Sequence, residues 1–262
     1  MRSVQGSPTE LFAHALDSHR LGVDTEPSQS PPVVVTLPTA GLARSFLDAA
    51  DDPPVSTALV VARGLVNDLS DGERSRIAEI QASAAGVRVA SVSNPVVATP
   101  QWTLTLDTAV SEPVGQLTTD GVYDCYREVW NDAEPAEVGV PSRSSLVETV
   151  THRLGDTAAE IVDRELDRTT RGTRGLDLAS LLLWAGAVEE TTAPTVIDLL
   201  EDADVVSHQA VERRLGRLET EGLLRTLPHH DGTPGRPSRQ LSVAVDLDEP
   251  AEPPDWVLAA LT

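Results

Sequence analysis

The chain has 262 residues, of which 40% are hydrophobic and 3% aromatic, and its formal net charge is −21. This length accommodates two domains, and the sequence shows neither the roughly 18-residue apolar run of a membrane helix nor the apolar segment of a signal peptide. Its single cysteine, Cys125, excludes an internal disulfide, and we expect it to be a small core residue on a helix. We therefore expect a cytoplasmic protein without a membrane partner.

The first half of the chain alternates β-rich runs with amphipathic ones. The predicted strands are 31–37, 56–62, 87–92, 101–107 and 113–119, and the predicted helices are 40–50, 70–86 and 120–134. The second of these helices has the clearest boundaries, because Ser70 and Glu73 form a capping box and Gly86 stands at its end. Since strands alternate with helices, residues 1–134 are predicted to form an α/β domain on a small, mostly parallel sheet.

A short stretch, 135–142, is a predicted hinge, and beyond it the β signal nearly disappears. From Ser144 the apolar residues recur at three- to five-residue intervals, which predicts one long helix with Gly155 as a potential kink. The apolar stripe of this helix, over 144–167, is longer than one small core needs. We therefore expect it to form the contact of a homodimer.

The remaining elements are helices followed by a β-hairpin. An apolar helix over 176–190 precedes a helix that begins near Pro194, a favoured first helical residue, and a third helix capped by Ser207. Two β-rich runs, 223–227 and 240–247, flank a glycine- and proline-rich loop. The order of these elements predicts a second, mainly helical domain over 143–247, and residues 248–262 form an acidic, proline-rich tail.

The charged residues have an unusual composition. All 20 basic residues are Arg, none is Lys, and 41 residues are Asp or Glu. A lysine-free acidic surface on a chain with regular apolar periodicity is typical of proteins that function in molar salt, where the Debye length falls to about 3 Å. We interpret the chain as a halophilic, haloarchaeal-type protein, so its overall charge says little about its partners.

Positive charge is concentrated in one segment, 207–240, which carries six Arg against four acidic residues. On a helix over 207–222 the apolar residues share one face, and Gln209 and Arg213 lie on the opposite face. Gln and Arg can pair with adenine and guanine edges, while flanking arginines neutralise phosphates. We therefore predict binding to double-stranded DNA. The predicted DNA-contacting residues are Ser207, His208, Gln209, Arg213, Arg214, Arg217, Arg236 and Arg239.

A different interpretation stays open, in which these arginines only solvate a helix face. Glu212, Glu219 and Glu221 supply partners at neighbouring positions. A second function also stays open, that of a protein-interaction module whose winged helix contacts a protein and does not bind DNA. Three features favour DNA: the preceding helix and tight turn, the following hairpin, and the reversal of the local charge.

The stretch SHQAVERRLGRLETEGLLRTLP followed by GRPSRQLSV resembles the winged helix-turn-helix of archaeal transcription regulators. The likeness lies in the step from Gly222 into the hairpin and in the GRPS sequence at 235–238. With its α/β half and its acidic, lysine-free surface, the whole chain resembles the haloarchaeal TbsP family. This resemblance implies a sequence-specific transcriptional regulator with links to central sugar metabolism.

The α/β half is expected to sense a small effector. Ligands of parallel sheets bind at the carboxyl ends of strands, where Thr39, Arg63 and Asn94 stand, and Thr39 with Arg63 could hold an anionic metabolite. Alternatively, Thr39 only caps a helix and Arg63 pairs with a surface acid. The sequence contains no recognisable catalytic constellation, cofactor motif or metal-ligand spacing, so we expect no enzyme activity, cofactor or metal.

Overall fold

A computed structural model of the protein describes residues 2–22, 33–50, 57–82, 86–108, 113–119, 122–170, 177–203, 205–229 and 238–245. The chain divides into two compact units: Met1–Leu69 with Arg76–Val138, and Ser70–Ser75 with Gly139–Thr262. The main division, after Val138, falls within the stretch that the sequence marks as a hinge. Among the described residues, no helix is both long enough and apolar enough to cross a membrane.

The first unit contains an eight-stranded sheet in the order β1-β7-β6-β5-β2-β3-β4-β8. Its strands are β1 Arg2–Gln5, β2 Val33–Leu37, β3 Thr57–Ala62, β4 Val87–Ala90, β5 Val96–Ala98, β6 Thr103–Asp107, β7 Val114–Thr118 and β8 Glu134–Pro135. Its helices are α1 Pro8–Gly22, α2 Ala40–Ala49, α3 Asp71–Ala82 (whose first turn clusters with the second unit) and α4 Tyr123–Asp132. The mixed α/β class predicted for this half is therefore observed.

The predicted parallel pairing occurs in the middle of this sheet, where β2, β3 and β4 lie parallel. The other neighbouring pairs are antiparallel, and the sheet is larger than the small one predicted. Chain length explains the difference, because a parallel pair needs a crossover of about a dozen residues or more. Only the short segment 99–102 joins β5 to β6, so these two strands must form a hairpin.

Helix starts in the first unit follow the capping signals of the sequence. The Ser70 hydroxyl accepts the Glu73 N–H at 3.4 Å while the Glu73 carboxylate accepts the Ser70 N–H at 2.7 Å, so the predicted capping box is confirmed. Ser7 and Glu10 make the same reciprocal pair at the start of α1, a helix that the periodicity did not predict. Cys125, predicted to be a core residue, is exposed on α4.

The described part of the second unit contains five helices and a hairpin. Its elements are α5 Arg143–Arg153, α6 Asp156–Thr170, α7 Leu178–Val188, α8 Ala193–Asp202, α9 His208–Thr220, β9 Leu224–His229 and β10 Ser238–Val243. The helix α7 lies at the centre of this unit, since every residue from Leu178 to Ala187 is buried. Trp184 is its largest side chain and is fully buried.

The long helix predicted from Ser144 is in fact two helices, and this prediction was wrong. Gly155 adopts a φ of 116°, which ends α5 instead of kinking a continuous helix. The chain then folds back. Arg143 at the start of α5 accordingly donates from Nε to Asp163 Oδ1 in α6 at 2.7 Å.

This reversal also removes the basis for the dimer contact predicted over 144–167. Val150 is 0% exposed and Leu154 is 7% exposed, and both belong to the hydrophobic core of their own unit. The apolar stripe is longer than one helix needs because it serves two helices, which pack against each other, α6 also against α7 and α5 against α8. It is therefore not a surface stripe available to a second copy.

The hairpin is attached to the connection between α7 and α8. Thr192 forms an isolated antiparallel bridge with Gln240, and the Leu241 N–H donates to the Thr191 carbonyl at 2.8 Å. Leu241 itself is 0% exposed. The base of the hairpin is therefore part of the core of the unit, and its position relative to α7 and α8 is fixed.

Candidate nucleic-acid interface

The helix α9 is oriented as its sequence pattern indicates. Val211, Leu215 and Leu218 are buried against the unit's core, which leaves the opposite face to solvent. On that face Gln209 and Arg213 are exposed and separated by one helical turn. Both are preceded by Ser207, an exposed N-cap whose side chain accepts no capping hydrogen bond.

Gln209 and Arg213 have their hydrogen-bonding groups available. Within the part of the chain that the structure describes, neither side chain makes a hydrogen bond or an ion pair. Such availability is unusual in this unit, where Arg143, Arg153 and Arg214 are each bonded to a carboxylate. The face of α9 therefore offers one guanidinium and one carboxamide that no residue of the described ranges occupies.

Two other predicted contacts on α9 point to the unit's own interior side. The Arg214 Nε donates to Asp177 Oδ2 at 2.5 Å, and the Arg217 Nη2 donates to Ser180 Oγ at 3.2 Å. Both acceptors belong to the first turn of α7 or the residue before it. Each of these arginines therefore has a partner at the start of α7, and Arg217, which is exposed, also lies 4.0 Å from Glu221; the sequence pattern placed both among the phosphate contacts.

Two further residues predicted to contact DNA lie against the carboxylate of Glu212. Glu212 accepts a hydrogen bond from Arg239 on β10, and its Oε1 lies 3.8 Å from Nε2 of His208. His208 also has its Nδ1 3.4 Å from Oε1 of Glu201 on α8. The proposed interface is thus lined with acids as well as with arginines. Arg236, the remaining predicted contact, lies outside the described residues.

The strand β9 adds an exposed cation to the hairpin. Arg225 is exposed on β9 and, among the residues that can be described, has no hydrogen-bond or ion-pair partner. The sequence places it in the hairpin without singling it out. Its neighbour Leu227 is 44% exposed, which is high for a large apolar side chain in this chain.

The three residues predicted to bind an effector have structural tasks in the first unit. The Thr39 hydroxyl caps α2 by accepting the Leu42 N–H at 3.3 Å. The carbonyl of Asn94 accepts a hydrogen bond from the Thr36 hydroxyl at 2.6 Å. The Thr39 contact is a helix cap, and the Asn94 contact uses its backbone carbonyl alone.

The third of these residues, Arg63, forms a bidentate ion pair with Glu134. Its Nη1 and Nη2 donate to the two carboxylate oxygens at 3.1 and 2.9 Å. These hydrogen bonds and the attraction between the charges raise the pKa of Arg63 and lower the pKa of Glu134 relative to their ordinary values. Because Glu134 belongs to β8, the guanidinium is directed across β4, away from β2 and Thr39. Leu37 pairs with Val61, so Thr39 and Arg63 follow neighbouring strand ends, but the Arg63 guanidinium is bonded to Glu134.

The structure shows no grouping of three or more His, Cys, Asp or Glu side chains suited to a metal ion, as far as the described residues extend. Comparison of the chain with protein-family models and with curated proteins gives no match. The function must therefore be argued from the geometry of the second unit itself.

Proposed function

We propose that the second unit is a winged helix-turn-helix that binds double-stranded DNA, and that the protein is a sequence-specific transcriptional regulator. In this proposal α8 and α9 are the two helices of the motif, and the β9–β10 hairpin is the wing. The order of the elements supports the assignment, as do the buried stripe of α9 and the attachment of the hairpin beside α7. In such domains the second helix of the motif lies in the major groove.

One observation carries the proposal: Gln209 and Arg213 are exposed, one turn apart and, among the described residues, free of internal partners. A glutamine can bond the N6 and N7 of adenine, and an arginine can bond the O6 and N7 of guanine, each through two hydrogen bonds. Side chains that stand ready for bidentate pairing are what base recognition requires. A helix face that served only solvation would gain from pairing Arg213 with a neighbouring acid.

The hairpin supplies the contacts that position such a helix on the duplex. Arg225 is exposed on β9, and Arg239 is exposed on β10 with an acid as its present partner. We assign both to phosphates, which fix the register of a protein on DNA without reading its sequence. Arg239 would exchange the Glu212 carboxylate for a phosphate oxygen when the complex forms.

The proposal also covers the genes that the protein regulates and the effector that it senses. The likeness to the TbsP family suggests promoters of central sugar metabolism, and the α/β unit is the part that would sense a metabolite. Since Thr39 caps α2 and Arg63 is paired with Glu134, we assign no residues to effector binding. We also propose a homodimer, because one recognition helix reads few base pairs and paired half-sites lie about one turn apart.

Selection of fragments from a random DNA pool by the full chain at molar KCl tests the proposal. We expect the selected fragments to share a motif, and we expect Arg213→Ala to lose preference for one base of it at a cost of about 1–3 kcal/mol. Arg153→Ala removes the same charge from α5, where Arg153 pairs with Asp202, and should leave the preference unchanged.

Two outcomes would contradict the proposal. A selection without any enriched motif would favour the protein-interaction module. Retention of full affinity and preference by Arg213→Ala would show that this face of α9 does not meet the bases. Light scattering at molar KCl tests the dimer separately, and a monomeric mass would remove that part of the proposal.

A further inference from the structure

Two arginines of α9 are bonded to neighbouring side chains at the start of α7. Asp177 Oδ2 accepts from Arg214 Nε at 2.5 Å and from the Ser180 hydroxyl at 2.6 Å. The same hydroxyl oxygen accepts from Arg217 Nη2 at 3.2 Å. Arg217 is thereby connected to Asp177 through Ser180, so that one carboxylate anchors two consecutive turns of α9.

This cluster is shielded from water on the α7 side. Ser180 is 0% exposed, and the Asp177 side chain is 14% exposed, against 31% for Arg214 and 41% for Arg217. Charge-assisted hydrogen bonds are roughly twice as strong as neutral ones, and screening by salt is weaker where water is partly excluded. The anchor is therefore suited to a protein whose exposed ion pairs would be screened in molar salt.

The Asp177 side chain does not cap the helix that it precedes. It is the N-cap residue of α7, yet its side chain makes no capping hydrogen bond. The first N–H of the helix, that of Leu178, is instead accepted by Asp71 Oδ2 at 3.1 Å. Because Asp71 supplies the cap, the Asp177 carboxylate can be directed at the arginines of α9.

The anchor determines where the exposed face of α9 points. Successive residues of an α-helix are rotated by about 100°, so a helix that holds Arg214 against α7 turns Arg213 away from it. Gln209 follows, since it lies one turn before Arg213 on the same face. Base pairing by Arg213 tolerates only a small rotation of the helix, because a bidentate contact requires both hydrogen bonds to be aligned.

We propose that Asp177, assisted by Ser180, is a positioning residue that fixes the rotation of α9 by holding Arg214 and Arg217, and that these arginines are not phosphate contacts. The inference rests on the proposed DNA binding and adds to it the residues that determine sequence preference from within the unit. Arg214 and Arg217 then stabilise the presentation of Gln209 and Arg213, while Arg225 and Arg239 bind the phosphates.

The variant Asp177→Asn distinguishes the two roles by the sign of its effect. If Arg214 and Arg217 contacted phosphates, removing a nearby negative charge would strengthen binding to every fragment. If Asp177 positions α9, the selected fragment should be bound about tenfold more weakly, the loss expected for one charged hydrogen bond. Binding to random DNA should change by less than about twofold, because it depends on phosphate contacts alone.

Two further variants serve as control and rescue. Asp163→Asn neutralises an acid that pairs with Arg143 between α5 and α6, and it should leave the ratio of selected to random affinity unchanged. Asp177→Glu keeps the carboxylate, and it should restore most of that ratio. Stronger binding of Asp177→Asn to both kinds of DNA, or equal ratios in all variants, would overturn the proposal.

A failure of the proposed function can be told apart from a failure of this inference. If the unmodified chain binds no fragment, DNA binding is excluded, and hydrogen exchange of the α9 amides still tests the anchor. We expect these amides to exchange faster in Asp177→Asn than in Asp163→Asn under conditions in which both are folded. Equal exchange in the two variants would show that Asp177 does not hold α9.

Discussion

Arg239 on β10 donates a hydrogen bond to Oε1 of Glu212 on α9, so an acid of the helix joins it to the hairpin. A phosphate oxygen would offer the same guanidinium an equivalent acceptor with a similar charge. In the proposed complex Glu212 therefore competes with DNA for Arg239. Glu212 is therefore expected to lower the affinity of the protein for DNA.

We expect Glu212→Gln to bind all DNA fragments about threefold more tightly, because it releases Arg239 and removes a negative charge beside the duplex; exposed ion pairs are worth about 0.2–1 kcal/mol. Fluorescence anisotropy with selected and random fragments measures the change. Glu148→Gln, an exposed acid on α5, is the control for net charge. Weaker binding by Glu212→Gln would show that the ion pair supports the interface instead of competing with it.

We expect DNA affinity to depend weakly, or even positively, on KCl in the molar range. Binding normally weakens with salt because neutralised phosphates release counterions. Here the segment 207–240 belongs to a chain of net charge −21, and the acids Glu201 and Glu212 lie beside His208 in the proposed interface. Cations must then be retained or taken up when the complex forms. Titrations at several KCl concentrations, with circular dichroism to monitor folding, test this; a steep loss of affinity would contradict it.

Gly186 in α7 is expected to tolerate no side chain. An added Cβ would lie 2.6 Å from Val196 Cγ2 and 3.0 Å from Thr191 Cγ2, so Gly186→Ala should lower the free energy of unfolding by about 1–3 kcal/mol. Gly216 in α9 has nothing within 4 Å of that position, and Gly216→Ala should raise it by about 0.4–1 kcal/mol. Chemical denaturation in constant KCl measures both. Equal changes in the free energy of unfolding of the two variants would indicate that α7 and α8 can move apart at Gly186 without loss of stability.

The ion pair of Arg63 with Glu134 predicts a pH dependence of defined sign. Hydrogen bonds from Arg63 lower the pKa of Glu134, so the pair contributes to stability above the ordinary carboxyl pKa and is lost as the pH falls through the lowered value. Carbon NMR of the Glu134 side-chain carboxyl should show that its titration midpoint moves to higher pH in Arg63→Gln. Arg44→Gln removes the same charge elsewhere in the first unit and should leave the midpoint in place. A midpoint unaffected by Arg63→Gln would contradict the pairing.

Local signals in the sequence predicted the local structure well. The capping box of Ser70 and Glu73 and the buried face of α9 are encoded within a few residues, so periodicity and spacing suffice to find them. The break at Gly155 shows the limit of this approach. A glycine within an apolar pattern is compatible with a kink or a stop, and only the packing of α5 against α6 decides between them.

Contacts between distant segments could not be predicted from the sequence. Arg214 and Asp177 are separated by 37 residues, and nothing in either local pattern indicates that they meet. For the same reason the sequence assigned Arg214 and Arg217 to phosphates and left Asp177 within an apolar helix. The short strand β5 was missed because three residues give too little alternation to be recognised.

The burial of Trp184 in α7 gives the second unit a spectroscopic signal of its own. Its ring is fully buried, and Nε1 has no hydrogen-bond partner among the described residues, so its emission should lie at short wavelength. Trp102 and Trp130 lie in the first unit and are partly exposed, while Trp256 lies outside the described residues. A chain that retains only Trp184 would therefore report by a red shift when the second unit opens, while one that retains only Trp102 would report on the sheet. The emission shifts of these two variants, measured over the same denaturant series, would show whether the units unfold in a single cooperative transition or one after the other.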